Sequence, residues 1–165
     1  MSIRQTEEKD LARIAEIDIF TRRVAHVGLF PEKYNFNETV VERFEKLKKS
    51  FNEQGRNCFS FVFDDGIVKG YADGGVARCE DKKGSFQIYD AYIEPVFQGQ
   101  GIGSQLMLYL EKIAKGKGYS EIVVWSFEKA PSTKFYEKCG FILDGKSRIS
   151  NPSFDVVSVR HTKQI

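Results

Sequence analysis

The feature that most constrains the fold is a segment with three glycines at alternate positions. Residues 89–103 read Tyr-Asp-Ala-Tyr-Ile-Glu-Pro-Val-Phe-Gln-Gly-Gln-Gly-Ile-Gly, and apolar residues at helical spacing follow them. A strand that passes through glycines into a helix places free backbone N–H groups and the positive end of the helix dipole where an anion can approach closely. The segment therefore predicts a site for a phosphate-bearing ligand.

The common phosphate-binding loops do not match this segment. A P-loop ends in Gly-Lys-Ser/Thr, whereas Gly103 is followed by Ser104 and Gln105. A dinucleotide-binding loop has the spacing G-x-G-x-x-G, and here the third glycine comes one residue too early. For these six residues alone, an ordinary tight connection between a strand and a helix is the alternative interpretation.

Two segments resemble motifs of the GCN5-related N-acetyltransferases, the GNAT family. Residues 98–103 match the family's pattern Q/R-x-x-G-x-G/A, with Ile93 and Pro95 ahead of them, and residues 135–141 read Phe-Tyr-Glu-Lys-Cys-Gly-Phe, close to its F-Y-E-K-x-G-F signature. The two segments occur in the family's order, and the resemblance covers essentially the whole chain. It implies an enzyme that transfers an acetyl group from acetyl-CoA to an amine.

The hydrophobic pattern predicts one mixed α/β domain over residues 1–165, in the order β-α-α-β-β-β-α-β-α-β-β, which is also the order that a GNAT-type acyltransferase fold implies. Thr6 is the expected N-cap of the first helix and Asn37 that of the second, with residues 21–36 as a loop between them. Residues 54–57 are expected to end the second helix. The later strands are expected at residues 58–63, 67–78, 85–93, 121–125, 141–148 and 154–161, and the later helices at residues 102–115 and 131–138.

Charge and composition exclude several other classes of protein. A net charge of +2 without a basic stripe gives no support for nucleic-acid binding. Three cysteines and two histidines show no metal-ligand spacing, so no metal is expected. The polar N-terminus has no signal peptide, and no apolar run reaches the length of a membrane span, so we expect a cytoplasmic protein. A homodimer is left open.

The resemblance implies how acetyl-CoA would be held. The pantetheine arm would pair with the strand backbone before the glycines, and the pyrophosphate would lie on the N–H groups of residues 99–104. Gln98 would either brace the loop or contact the cofactor directly. Ser132 lies where the family usually has an asparagine. The expected cofactor-binding residues are Ala91, Tyr92, Ile93, Gln98, Gly99, Gln100, Gly101, Ile102, Gly103, Ser104, Ser132 and Tyr136.

The resemblance also implies catalytic roles. Tyr136 matches the family tyrosine that protonates the leaving thiolate, and the N–H of Ile93 would polarise the thioester carbonyl. Gln87 stands where the family often has a glutamate base, and glutamine cannot accept a proton at neutral pH. Asp90, expected on the opposite face of the strand because side chains alternate, is the candidate base. A structural salt bridge, a contact to the substrate ammonium and proton loss to water are the alternatives.

The acceptor side is less specific. Residues 21–36 resemble a segment that lines the acceptor pocket in small-molecule members of the family, and two arginines there could hold a carboxylate or could be ordinary surface charge. We expect a small-molecule amine as acceptor, with a protein amine, or an acyl-CoA-binding module without activity, as alternatives. The candidate pocket residues are Arg22, Arg23, His26, Phe30, Tyr34 and Tyr89.

Overall fold

A computed structural model describes residues 2–53 and 58–165 of the chain. Strand β1 is followed by three helices, of which the second is a single turn. Three antiparallel strands come next, and then α4, β5 and α5 lead to a closing hairpin. The elements are β1 (Ser2–Gln5), α1 (Leu11–Ala25), α2 (Glu32–Asn35), α3 (Val40–Glu53), β2 (Cys58–Asp64), β3 (Val68–Val76), β4 (Phe86–Ile93), α4 (Ile102–Gly116), β5 (Glu121–Phe127), α5 (Ser132–Lys138), β6 (Ile142–Asn151) and β7 (Val156–Gln164).

The seven strands form one mixed sheet in the order β1-β2-β3-β4-β5-β7-β6. Among the described strands, only β4 and β5 run parallel, because α4 connects them as a crossover helix. The apolar stripe of α4, including Leu106 and Leu110, packs on one face of the sheet. Helix α1 packs through Leu11 and Ile14 on the other face, with α3 beside it. The mixed α/β fold predicted from the sequence is confirmed.

The predicted loop over residues 21–36 is partly helical. Helix α1 continues to Ala25, where Arg22 forms an ion pair with Asp18 one turn earlier. The hydroxyl of Thr21 donates to the backbone oxygen of Ile93 at 3.2 Å, which anchors this last part of α1 to the sheet. Helix α2 is too short to show a helical period in the sequence, so the pattern gave no signal for it.

Both predicted helix caps are wrong. The hydroxyl of Thr6 lies 2.7 Å from that of Ser60 on β2, so it is used to join β1 to its neighbour. The second cap is formed by Thr39, whose hydroxyl accepts from the N–H of Glu42 while its own N–H donates to the Glu42 carboxylate. This reciprocal pair is a capping box, and the cap lies two residues after Asn37. The predicted end of that helix at residues 54–57 lies outside the described residues.

Two further findings concern the described residues as a whole. Cys58, Cys79 and Cys139 are all free thiols. Across residues 2–53 and 58–165, no helix is both long enough and apolar enough to cross a membrane.

Candidate active site

The central feature of the site is an opening between β4 and β5. The two strands pair only where residues 86–88 lie beside residues 122–124. Beyond Ile88, β4 continues to Ile93 and stays paired with β3, while β5 continues to Phe127 and stays paired with β7. The strands therefore separate into a slot whose two edges are unpaired backbone.

The hydrogen-bond alternation of β4 decides which residues face this slot. The N–H of Glu94 donates to the oxygen of Lys69 at 3.0 Å, so the backbone of Glu94 points toward β3. Because the direction alternates along an antiparallel strand, Tyr92 also points its backbone groups toward β3, whereas Ala91 and Ile93 point theirs into the slot. Two of the three residues expected to pair with pantetheine therefore face the slot. The oxygen of Ile93 already accepts two side-chain hydrogen bonds, so only its N–H is free.

A bulge interrupts β4 just before the slot. Asp73 of β3 lies opposite Asp90, but the next residue, Gly74, lies opposite Ile88. Tyr89 is therefore an extra residue without a partner on β3, which is the definition of a β-bulge. The bulge coincides with the place where β4 and β5 separate.

The bulge inverts the alternation of side chains along β4. Ile88 before it and Ala91 after it both pack on the α4 side, so Gln87 and Asp90 both face α1 and α3. The prediction that Gln87 and Asp90 lie on opposite faces is therefore wrong, because strict alternation does not hold across an extra residue. Gln87 accepts a hydrogen bond from the N–H of Arg78 at 2.9 Å, which gives it a structural role.

The glycine loop has the geometry of an anion cradle. Gly99 and Gly101 have φ values of 77° and 79°, a left-handed conformation that costs other residues about 1–2 kcal/mol. Gly101 caps α4, and the first helical hydrogen bond runs from the N–H of Gln105 to the Gly101 oxygen at 3.1 Å. The N–H groups of residues 102–104 precede that bond and are free to bind an anion.

Two contacts fix the loop against the rest of the site. A side chain on Gly103 would lie 3.0 Å from the ring of Phe135, so the first turn of α4 packs closely on α5. The side-chain amide of Gln98 donates to the oxygen of Ile93 at 2.9 Å, which ties the loop to the end of β4. Gln100 is exposed.

Tyr136 is buried in an aromatic environment on α5. Its ring packs on those of Phe135, Phe141 and His161, with centroids 5.4–5.8 Å apart. Burial raises the pKa of its phenol, and the charge of Asp90 raises it further, so the hydroxyl stays protonated. Among the described residues no group forms a hydrogen bond with that hydroxyl. The proton is therefore free to be donated to a ligand.

His161, beside Tyr136, is a neighbour that the sequence did not identify. It is completely buried, and its Nε2 lies 2.9 Å from the hydroxyl of Ser126 on β5. Burial lowers its pKa, so it is neutral at pH 7. Its position on the closing strand β7, next to β5, depends on the sheet order and has no local sequence signal.

The other residues expected near the cofactor lie on α5. Ser132 is the first residue of that helix and is half-buried. Lys134 and Lys138 are exposed. Within the described ranges, no group of three or more histidine, cysteine, aspartate or glutamate side chains is placed to hold a metal ion.

Asp90 faces a network of charges between the sheet and α1. Asp18 is fully buried, forms ion pairs with Arg22 and Arg43, and accepts a hydrogen bond from the hydroxyl of Tyr71 at 2.7 Å. Asp90 itself forms no ion pair with any described residue. Burial raises the pKa of its carboxyl, and the charge of Asp18 raises it further.

A cavity of about 170 Å³ lies between this face of the sheet and helices α1 and α3. Asp90 and Tyr89 line it from β4, and Asp73 lines it from β3. Burial raises the pKa of Asp73 to about 7, and the negative charge of Asp90 contributes in the same direction. The sequence reasoning missed Asp73, although it sits in the predicted strand and is one of only two aspartates in the middle of β3 and β4.

The remaining acceptor-side candidates do not line this cavity. Arg22 is bound to Asp18 and Glu38, and Arg23 donates to the backbone oxygen of Glu38 at 3.3 Å. In the predicted clamp for a carboxylate, Arg22 is thus held by two acidic side chains and Arg23 contacts a backbone oxygen.

An aromatic cluster joins the segment after α1 to the far end of β5. The rings of His26 and Phe30 lie 5.1 and 5.4 Å from that of Phe127. Phe154, at the turn between β6 and β7, lies 5.0 Å from Tyr34. Burial lowers the pKa of His26 to about 4, so the cluster is uncharged at pH 7. These contacts place an aromatic surface at the end of β5, the strand that forms one edge of the slot.

The sequence over residues 23–141 matches the model of the acetyltransferase (GNAT) family. The chain belongs to the GNAT family of acetyltransferases. Its fold agrees with that assignment. The Thermoplasma acidophilum PaiA N-acetyltransferase, solved in complex with coenzyme A, superposes with a TM-score of 0.77 at 20% identity over 99% of this chain and 98% of its own.

Two more proteins illustrate the relationship. The uncharacterized N-acetyltransferase YuaI of Bacillus subtilis is 26% identical over 97% of this chain and 88% of its own length. The Salmonella typhimurium protein yncA, solved with its cofactor acetyl-CoA, has a TM-score of 0.69 at 20% identity over 99% of this chain and 92% of its own. The predicted family and the predicted class of enzyme, an acetyl-CoA-dependent N-acetyltransferase, are confirmed.

This GNAT enzyme departs from the family pattern at its base. The side chains of β4 that face α1 and α3 include Gln87 and Asp90, and Gln87 is bonded to the backbone of Arg78. Asp90 is the one carboxylate within β4, and it directly precedes Ala91, whose backbone faces the slot.

Proposed function

We propose that the enzyme transfers the acetyl group of acetyl-CoA to a primary amine of a small molecule, by direct attack of the amine on the thioester. The observation that carries this proposal is the continuous path from the glycine loop through the slot to the free hydroxyl of Tyr136. One end of the path suits the phosphates, the middle suits an extended arm, and the hydroxyl suits a leaving sulfur.

The donor is held mainly by backbone. The free N–H groups of Ile102, Gly103 and Ser104, with the positive end of α4, bind the pyrophosphate. Ala91 pairs with an amide of pantetheine as a neighbouring strand would, the N–H of Ile93 faces the thioester carbonyl, and Tyr92 between them keeps β4 attached to β3. The backbone of Gly99, Gln100 and Gly101 lines the cradle.

Two side chains support that cradle. Gln98 holds the loop through its bond to the Ile93 oxygen, as the hydrogen bond of 2.9 Å indicates. Ser132, at the start of α5, contacts the arm. Neither side chain has to change its protonation state for this role.

The reaction needs a neutral amine, a stabilised oxyanion and a proton for the thiolate. The nitrogen forms a bond to the carbonyl carbon while the N–H of Ile93 stabilises the oxyanion, and the carbon–sulfur bond then breaks. Tyr136 gives its proton to the sulfur. Asp90 takes the proton that the amine loses, directly or through a water molecule, and its raised pKa brings it closer to the working pH of a base.

The cavity beside Asp90 favours a small acceptor over a protein. Its volume of about 170 Å³ lies beneath α3, where a few atoms of a ligand fit but a polypeptide segment does not. The proposal is tested against two alternatives. The acceptor could be a protein or peptide amine, or the chain could be an acyl-CoA-binding module without activity.

The test is release of free CoA thiol from acetyl-CoA across a panel of small amines and peptides, with wild type and Tyr136→Phe compared. We expect turnover with small amines, a kcat lower by about 100-fold or more in the variant, and unchanged acetyl-CoA binding. Tyr109→Phe, which changes a half-buried tyrosine packed on Phe61, is the matched control and should keep wild-type kcat.

Three outcomes would contradict the proposal. Binding of acetyl-CoA without acetylation of any amine would show that the protein is an acyl-CoA-binding module without activity. If only peptides are acetylated, the acceptor is a peptide amine and not a small molecule. Equal kcat in wild type and Tyr136→Phe would remove Tyr136 from the chemistry.

A further inference from the structure

The cavity between α3 and the sheet combines apolar walls with charged groups. Leu11 and Ile14 of α1 and Leu47 and Phe51 of α3 line one side. The opposite side is the sheet, with Asp73 and Asp90 next to each other on β3 and β4. Such walls fit a chain of methylene groups, and the carboxylates fit a cation.

Two of the three basic side chains that line the cavity are paired with carboxylates. Arg43 lies 2.6 Å from Asp18, and Lys46 lies 2.8 Å from Glu38. Arg78 is exposed and stacks on the ring of Tyr89 at 3.7 Å from its centroid. Among residues 2–53 and 58–165, neither Asp73 nor Asp90 forms a direct ion pair, so each carboxylate of the cavity can still accept a cation.

Asp73 has an unused acceptor in this place. Its Oδ1 is buried and has no hydrogen-bond partner among the described residues. A buried acceptor without a partner destabilises a protein, and like charges directly opposite each other in a sheet add to that. A cation in the cavity would remove both costs.

The order of the strands sets the distance between this acceptor and the slot. The slot lies on one side of β4 and Asp73 lies on β3, on the other side, with Asp90 between them. Neighbouring strands are about 5 Å apart. An acceptor molecule with one nitrogen at the slot and a second nitrogen at Asp73 therefore needs a chain of a few methylene groups between them.

We propose that Asp73 binds a second ammonium group of the acceptor, so that the preferred substrates are short aliphatic diamines. This inference rests on the proposed acetyl transfer to a small amine and gives it a substrate class. Asp90 serves the nitrogen that reacts, and Asp73 holds the one that does not.

The first test compares acceptors of similar size as substrates of the wild-type enzyme. Diaminobutane, aminopentane and aminobutyrate end in an ammonium, a methyl and a carboxylate. We expect the KM of diaminobutane to be at least about tenfold below that of aminopentane, since a buried charge-assisted contact has that effect or more. Aminobutyrate should be the poorest of the three. Equal KM values for diaminobutane and aminopentane would overturn the inference without any variant.

The second test uses Asp73→Asn, with Glu80→Gln, at an exposed site outside the cavity, as matched control. In Asp73→Asn the KM of diaminobutane should rise by about tenfold or more, toward that of aminopentane, while the KM of aminopentane changes by less than about twofold. The control should keep the wild-type preference. A fall in kcat for all amines alike, with the preference kept, would assign Asp73 to the proton path and overturn the inference.

Direct binding separates this inference from the proposed function. Calorimetric titration of diaminobutane and of aminopentane into the protein without acetyl-CoA needs no turnover. If no amine is acetylated and diaminobutane still binds more tightly than aminopentane, the acetyl-transfer proposal fails while the ammonium site stands. If amines are acetylated and the two compounds bind alike, the ammonium site fails alone.

Discussion

Burial controls the protonation of the ionisable residues around the slot. Tyr136 keeps its proton because an apolar, aromatic environment disfavours a phenolate. Asp73 and Asp90 are shifted in the same direction, since each carboxylate is removed from water and faces other negative charge. The residue types were visible in the sequence, but their environments were not.

The raised pKa of Asp73 makes stability depend on pH. Its folded-state pKa of about 7 is above its ordinary value of 3.8, so the folded state binds this proton more tightly than the unfolded state. The free energy of unfolding therefore falls as the pH rises from about 4 to about 7, and this contribution stays lost above pH 7. Asp73→Asn should be more stable than wild type at pH 8, by up to about 4 kcal/mol.

Urea denaturation at pH 4 and pH 8 measures this effect. The advantage of Asp73→Asn should be much smaller at pH 4, where the wild-type carboxyl carries its proton. Glu80→Gln should follow the wild-type pH dependence. A variant advantage that is the same at both pH values would show that Asp73 titrates normally in the folded protein.

At the scale of elements, the glycine loop and the bulge in β4 differ in how much the sequence could show. The loop was predictable because Gly99 and Gly101 provide a local conformation that other residues avoid. The bulge was not, since it consists of one extra residue, Tyr89, in a strand whose apolar pattern looks continuous. The error about Gln87 and Asp90 came from that one residue.

The glycine loop gives a prediction that compares two glycines, one in a left-handed conformation and one in a helical conformation. Gly101→Ala places a side chain at a φ of 79°, which should destabilise the fold by about 1–2 kcal/mol and raise the KM of acetyl-CoA. Gly116→Ala, at the exposed end of the same helix, should instead stabilise the protein by about 0.5–1 kcal/mol with the KM unchanged. Chemical denaturation and initial rates measure both effects. Tight acetyl-CoA binding by Gly101→Ala would show that the cradle lies elsewhere.

At the scale of the whole molecule, the sheet consists of two parts joined at one place. Strands β1–β4 form one part and β5–β7 the other, and the only pairing between them in the described chain covers residues 86–88 of β4 and 122–124 of β5. A donor that pairs with Ala91 in the slot would extend this contact. Binding of acetyl-CoA should therefore stabilise the molecule as a whole.

Hydrogen exchange and thermal unfolding test this role. Acetyl-CoA at about 100 times its Kd should add roughly 2.7 kcal/mol to the free energy of unfolding, which raises Tm by about 5–10 °C. The amides of Ala91 and Ile93 should gain protection from exchange. Adenosine bisphosphate, which lacks the pantetheine arm, should leave these two amides unprotected. Their protection by adenosine bisphosphate alone would contradict an arm in the slot.

The sequence by itself determined the family, the mixed sheet with its crossover helix and the glycine loop. Each depends on spacing along a short segment, where glycine conformation and helical or strand period are local properties. The tertiary structure decided the face on which Asp90 lies, the pairing of Asp90 with Asp73, the neighbour His161 and the cavity under α3. These depend on residues far apart in the chain, brought together by strand order and by one bulge, and no local pattern records such contacts.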